Sequence, residues 1–169
     1  GHLSIAVSVL EGFDEPGEDT SISAIPDAAF SYCGVVDVTG MAERLNITGG
    51  YERDFSPIHN IRPGCPPMIL FWGAEDGITS PEIAREFTEK MTDAGNRCDL
   101  HIFEGVGHGS FNYSGGDKPH YYYALGLVDD FLVELGLVDG QHPDVFPEPD
   151  YSAPADDPDA SPPDAPDTD

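Results

Sequence analysis

The sequence predicts an α/β fold: a mostly parallel β-sheet with helices packed on both faces. Three observations carry this expectation. Helical and strand-like patterns alternate along the chain. The run "MILFWG", residues 68–73, is continuously apolar and closed by glycine, the pattern of a strand buried on both faces. It is followed by a capped amphipathic stretch and then by "CDLHIFE". That strand–helix–strand unit makes its two strands neighbours through a right-handed crossover.

The elements follow in order. "GHLSIAVSVLEGF" carries Leu3, Ile5, Ala6, Val9 and Leu10 at a spacing that fits one helical face, and it opens without an obvious cap. "DEPGEDTS" is loop. "AAFSYCGVVDV" has the β-branched and aromatic density of a strand, best placed at Phe30 to Val36. The connection from Thr39 to Pro67 is long, with room for short helical pieces. After the apolar strand comes a helix with Ser80 as N-cap, Pro81 at its first position and Gly95 as its stop. Its inward face is Ile83, Ala84, Phe87 and Met91. The last helix, "HYYYALGLVDDFLVELGL", places Tyr123, Leu127, Phe131 and Leu135 at four-residue steps. Three strands are few for such a sheet. The expectation is that an N-terminal half of the fold lies upstream.

Composition divides the 169 residues into two regions. Residues 1–138 carry the folded pattern. From Asp139 to Asp169 there is no Lys or Arg, and the segment holds ten acids and eight prolines. Such a stretch cannot bury enough apolar surface to offset the entropy of ordering it, so it reads as an acidic disordered tail. The net charge of −25 repels polyanions, which argues against nucleic acid as a partner. An acidic surface suits a secreted or periplasmic setting. No apolar run approaches the roughly 18 residues of a membrane span. Cys33, Cys65 and Cys98 are odd in number and lack metal-type spacing, so neither a disulfide framework nor a metal site is expected. Asp117, His108 and His120 also fit no standard metal pattern.

Ligands of open parallel sheets bind outside the carboxyl ends of the strands. Two such ends carry reactive groups here. "MILFWGAEDGI" puts Asp76 just past one strand, and "LHIFEGVGHGS" puts His108, between Gly107 and Gly109, just past its neighbour. An ionised Asp76 could accept from one ring nitrogen of His108, fix its tautomer and stabilise the imidazolium of a proton transfer. The flanking glycines would permit positive backbone dihedrals and leave room for substrate. By position alone, Asp76 reads equally as a turn residue and His108 as a solvated loop residue. His101 reads as structural, His59 and His142 as solvated, and Trp72 as core. The run Tyr121–Tyr123 reads as helix packing. Ser4, Ser8, Ser31, Ser56, Ser80 and Ser110 do not sit in a G-x-S-x-G turn.

"MILFWGAEDGIT", "FEGVGHGSFNY" and "YYYALGLVDDFLVELG" together resemble the C-terminal part of α/β-hydrolase serine esterases. The likeness is to the feruloyl-esterase-like and acetylxylan-esterase-like group, neighbours of the hormone-sensitive-lipase and prolyl-oligopeptidase types. In that family a G-x-x-D turn carries the triad acid, which matches Gly73 to Asp76. A glycine-flanked histidine turn carries the triad base, which matches Gly107 to Gly109. Ser110 stands where an aromatic residue is common, and Phe111 follows it. "GHLSIAVSVL" resembles the end of the family's G-x-S-x-G-G-H elbow and the helix after it. The nucleophile is therefore expected just before Gly1, and not in this chain.

The resemblance implies the C-terminal portion of an α/β-hydrolase fold and an ester-cleaving Ser-His-Asp mechanism that needs no cofactor or metal. Small-molecule or polysaccharide esters are the implied substrates. A prolyl-oligopeptidase-type peptidase is the alternative within the class. A non-catalytic α/β interaction module or pseudoenzyme with an acidic linker is the alternative outside it.

Overall fold

The structure is a computed structural model that describes residues 1–41, 50–112 and 119–140. The acidic tail expected over 139–169 lies, but for its first two residues, outside them. So do Tyr113, Asp117 and His142.

Three strands form one parallel sheet in the order β1 (Ala29–Tyr32), β2 (Met68–Gly73), β3 (Cys98–Phe103). The register aligns Ala29 with Met68 and Met68 with Cys98. Every residue of β2 is buried, as its unbroken apolar run requires of a central strand between two helical layers. Parallel register places Ser31, Leu70 and Leu100 on one face, and Tyr32, Phe71 and His101 on the other. On the first face lie α1 (His2–Val9) and α2 (Pro81–Asp93). Ile5 reaches the turn beside Ser31, and Cys98 Sγ meets Thr88 Oγ1 at 3.7 Å. On the second lies α3 (Pro119–Glu134), whose Tyr123 meets the Phe103 ring edge-on at 6.0 Å.

The helix α2 begins as the sequence indicates. The Ser80 hydroxyl accepts from Glu82 N at 3.1 Å, and Gly95 follows the helix with φ 80°. Ala84, Phe87 and Met91 are buried, with Ile83 only partly so. Among the described residues, no helix is long and apolar enough to cross a membrane.

Three expectations need correction. The first strand ends at Tyr32, not Val36. Cys33 turns the chain with φ 45°, and Val36 and Val38 are buried as loop residues. Ile58 N donates to Val36 O at 2.9 Å, and Val38 N donates to Ser56 Oγ at 3.0 Å. Their apolarity reflects burial without sheet pairing. In α1, Leu3 is 80% exposed and Ser8 is buried instead. Leu3 lies about 200° around the helix from Ile5, off the packed face. In α3 the buried positions are Ala124, Val128 and Phe131, while Tyr123 and Leu127, with Leu135 just past the helix, pack at the margin. A strict four-residue step advances about 40° beyond a full turn each time, so it walks off one face.

Gly73, the last residue of β2, fixes how the loops above the sheet meet. A Cβ placed there would lie 2.0 Å from Val106 O and 2.6 Å from its carbonyl carbon. The backbone after β3 thus passes directly over the end of β2, where no side chain fits. Ala74 N then donates to Phe103 O at 2.8 Å and Glu75 N to Val106 O at 3.0 Å. Gly73→Ala is expected to destabilise the protein by about 2 kcal/mol or more, because the clash is with backbone. Urea unfolding checks this: a midpoint within error of the parent would show that the loops do not need this approach.

Candidate active site

The β2–α2 loop aims one carboxylate. Asp76 N donates to Gly73 O at 3.2 Å, closing a turn at the strand end. The side chain of Asp76 is buried and well supplied with donors. Oδ1 accepts from Ile78 N at 2.8 Å and from Thr79 N at 3.0 Å, and Oδ2 accepts from Thr79 Oγ1 at 2.8 Å. Thr79 is itself buried, and its carbonyl accepts from the indole Nε1 of the fully buried Trp72 at 2.9 Å. Trp72 is core, and it also braces the acid loop.

The β3–α3 loop brings His108 to this carboxylate. Its Nδ1 lies 2.9 Å from Asp76 Oδ2 and 3.1 Å from Oδ1, with 38% of the side chain exposed. An ionised carboxylate can only accept, so Nδ1 carries the proton and Nε2 is left as the basic nitrogen. Burial raises the Asp76 carboxyl. The amides of Thr79 and Ile78, with His108 and the Thr79 hydroxyl, outweigh burial and hold it at about 2. The pair is an anionic acceptor under an orientable base.

The flanking glycines do not adopt the positive dihedrals expected of them. Neither Gly107 nor Gly109 has positive φ; the left-handed residue of this turn is Gly105, at φ 67°. A Cβ at Gly107 or Gly109 would meet nothing closer than 3.8 Å. The turn is anchored through Phe111, which is buried and lies 5.3 Å from the rings of both Tyr32 and Phe103.

Two features escaped the sequence. Cys33 is buried beside the pair: one ligand-type atom each of Cys33, Asp76 and His108 lie within 4.8 Å of one another. Burial pushes its thiol up to about 12; a backbone bond to Gly73 opposes this and the Asp76 carboxylate adds to it. These residues are too far apart in sequence for any spacing rule to collect them. The second feature is a Ser–Asp–His cluster on another loop. Ser56 Oγ donates to Asp37 Oδ1 at 2.9 Å, and His59 Nε2 stands 3.9 Å from the same oxygen. His59 is therefore partly packed rather than solvated. Ser56 is fully buried and bonds to the carboxylate, so the cluster fastens the loop after β1. His101 packs on Phe71 at 5.5 Å between ring centroids. Among the described residues, no serine hydroxyl bonds to His108.

At the same edge, α1 begins against the end of β1. His2 Nδ1 bonds to Val35 O at 2.8 Å, and a Cβ on Gly1 would lie 2.6 Å from Gly34 Cα.

No protein-family model matches this chain, and no curated protein matches it. Solved structures do. The apo form of esterase 2 from Thermogutta terrifontis is 40% identical with a TM-score of 0.76, over 83% of this chain and 54% of that one. The propionate-bound esterase from this Planctomycetes species is 38% identical with a TM-score of 0.74, over 83% and 54%. The form phosphorylated by paraoxon is 39% identical with a TM-score of 0.75, over 83% and 52%. The chain spans about half the length of these structures. It is similar in sequence and fold to an α/β-hydrolase esterase, and its own sheet and helices form a partial α/β-hydrolase fold.

The depressed Asp76 carboxyl has a consequence for acid stability. Its ionised form is favoured in the folded state, so the contribution is complete above the ordinary aspartate range, near pH 4. It is lost as pH falls toward about 2. Asp76→Asn is expected to weaken the protein at pH 7 and to flatten its loss of stability between about pH 4 and 2. Denaturant unfolding of both proteins across that window checks it; parallel curves would contradict the assignment.

Proposed function

We propose that this partial α/β-hydrolase supplies the acid and the base of a Ser-His-Asp triad that cleaves short-chain carboxylic esters. The carrying observation is the bond of His108 Nδ1 to a buried, ionised Asp76 at the carboxyl edge of a parallel sheet, in a chain about 40% identical to an esterase. The nucleophile is a serine in a G-x-S-x-G turn just before Gly1. The close approach of Gly1 to Gly34, at the edge that carries His108, supports that location.

In this reading the serine hydroxyl attacks the ester carbonyl and gives its proton to His108 Nε2. Asp76 keeps the proton on Nδ1 and balances the imidazolium charge. The tetrahedral intermediate collapses, the carbon–oxygen bond to the alcohol breaks, and Nε2 returns the proton to the leaving oxygen. Water then repeats the sequence on the acyl-enzyme. Backbone amides near the elbow would stabilise the oxyanion. The structures of the similar esterase with propionate and with butyrate support a small acyl group. Its phosphorylation by paraoxon supports an activated nucleophile. Acyl groups carried on a carbohydrate are esters of this class.

The test is hydrolysis of p-nitrophenyl propionate by the complete protein. His108→Ala is expected to lower kcat about 1,000-fold or more, with the circular dichroism spectrum unchanged. Turnover within tenfold of the parent would remove His108 from the mechanism.

A further inference from the structure

Cys33 stands where a third ligand would complete a set begun by the acid and the histidine. The three residues come from the turn after β1, the loop after β2 and the loop after β3, so the sheet itself holds them together. We propose that Cys33 Sγ, Asp76 and His108 Nδ1 form a site for a thiophilic divalent cation such as Zn²⁺ or Cd²⁺, and that the bound cation switches the histidine off. The second half rests on the triad reading above; the site itself does not.

The geometry needs little change. Tetrahedral zinc, with bonds of about 2.0–2.3 Å, sets neighbouring ligand atoms about 3.3–3.6 Å apart. Here His108 Nδ1 is 2.9 Å from Asp76 Oδ2, and one ligand-type atom from each of the three residues lies within 4.8 Å of the others. A modest opening of the histidine–carboxylate bond and a modest closing onto sulfur would complete the set. His108 is the partly exposed member on a turn, and the two buried members provide a fixed base. A thiolate with an imidazole selects zinc-like or softer cations over Mg²⁺ and Ca²⁺.

The protons account for the inhibition. In the metal-free pair the proton is on Nδ1 and Nε2 is the base. A cation on Nδ1 needs that lone pair, so the ring proton moves to Nε2, which can then no longer accept from a hydroxyl. The thiol loses its proton to solvent as the sulfur–metal bond forms. Thiolate and carboxylate together balance the two positive charges. The thiol proton is the one released as the cation binds.

The experiment titrates Cd²⁺ into the complete, metal-free protein, following the ultraviolet thiolate-to-cadmium charge-transfer band and ester hydrolysis in parallel. The expected result is a band that saturates near one equivalent in the parent and in the Cys65→Ala/Cys98→Ala double variant. The band should be absent in Cys33→Ala, and the half-inhibitory Cd²⁺ concentration should rise at least tenfold there. Cys33→Ser, which keeps the side-chain volume, should behave as Cys33→Ala does and guards against a folding defect. A band that survives in both Cys33 variants, no band in the parent, or inhibition equal in parent and variants would overturn the proposal. A Cys33-dependent band in a protein that hydrolyses no ester would leave the cation site standing and sink the esterase reading.

Discussion

The arrangement depends on one steric constraint, the passage of the Val106 backbone over the bare end of β2. Gly73 has no side chain, and Val106 O occupies the space one would take. That approach lets Glu75 N reach Val106 O and Ala74 N reach Phe103 O. Two loops separated in sequence by a helix and a strand thereby become one backbone unit. The positions of Asp76 and His108 follow from it, since each lies within three residues of these contacts. The precision of the 2.9 Å bond between them is a property of the sheet's edge more than of the two side chains.

Electrostatics then builds inward from the carboxylate. Asp76 is buried, yet its charge is met by two amides, a hydroxyl and an imidazole. A buried charge without such partners would neutralise itself. Thr79 provides two of the four donors and is held from behind by Trp72. The same threonine hydroxyl lies 3.4 Å from Cys33 O, so the turn that carries the thiol is tied to the same hub. The acid loop, the thiol and the histidine thus share one small hydrogen-bonded frame.

Much of this was legible where the signal is local. The buried run of β2, the Ser80–Pro81 start of α2 and the glycine stop after it are written in adjacent residues, and the elements follow them. So was the placement of a carboxylate and an imidazole at neighbouring strand ends, because the crossover rule makes those strands adjacent. What could not be read depends on contacts between distant segments. Val36 and Val38 look like strand residues, but their backbone partners are Ile58 and Ser56. The glycines beside His108 suggested unusual dihedrals, while the turn places that demand on Gly105. Cys33 has no metal-type spacing to other residues, and only the fold brings it to the pair. The bond of Thr79 N to the Asp76 carboxylate and that of the Trp72 indole to the Thr79 carbonyl each use a backbone group, which leaves no trace in residue identity.

The chain contains a single tryptophan, and it is the residue whose indole holds the Thr79 carbonyl. Intrinsic fluorescence excited at the indole therefore has one origin in this chain, directly behind the acid loop. The buried, hydrogen-bonded ring should emit toward the blue while that loop is closed, and water reaching it would move the emission red. No label need be introduced to watch the carboxylate's support come apart. An optical signal that elsewhere averages over several sites reports here on the backbone that aims Asp76.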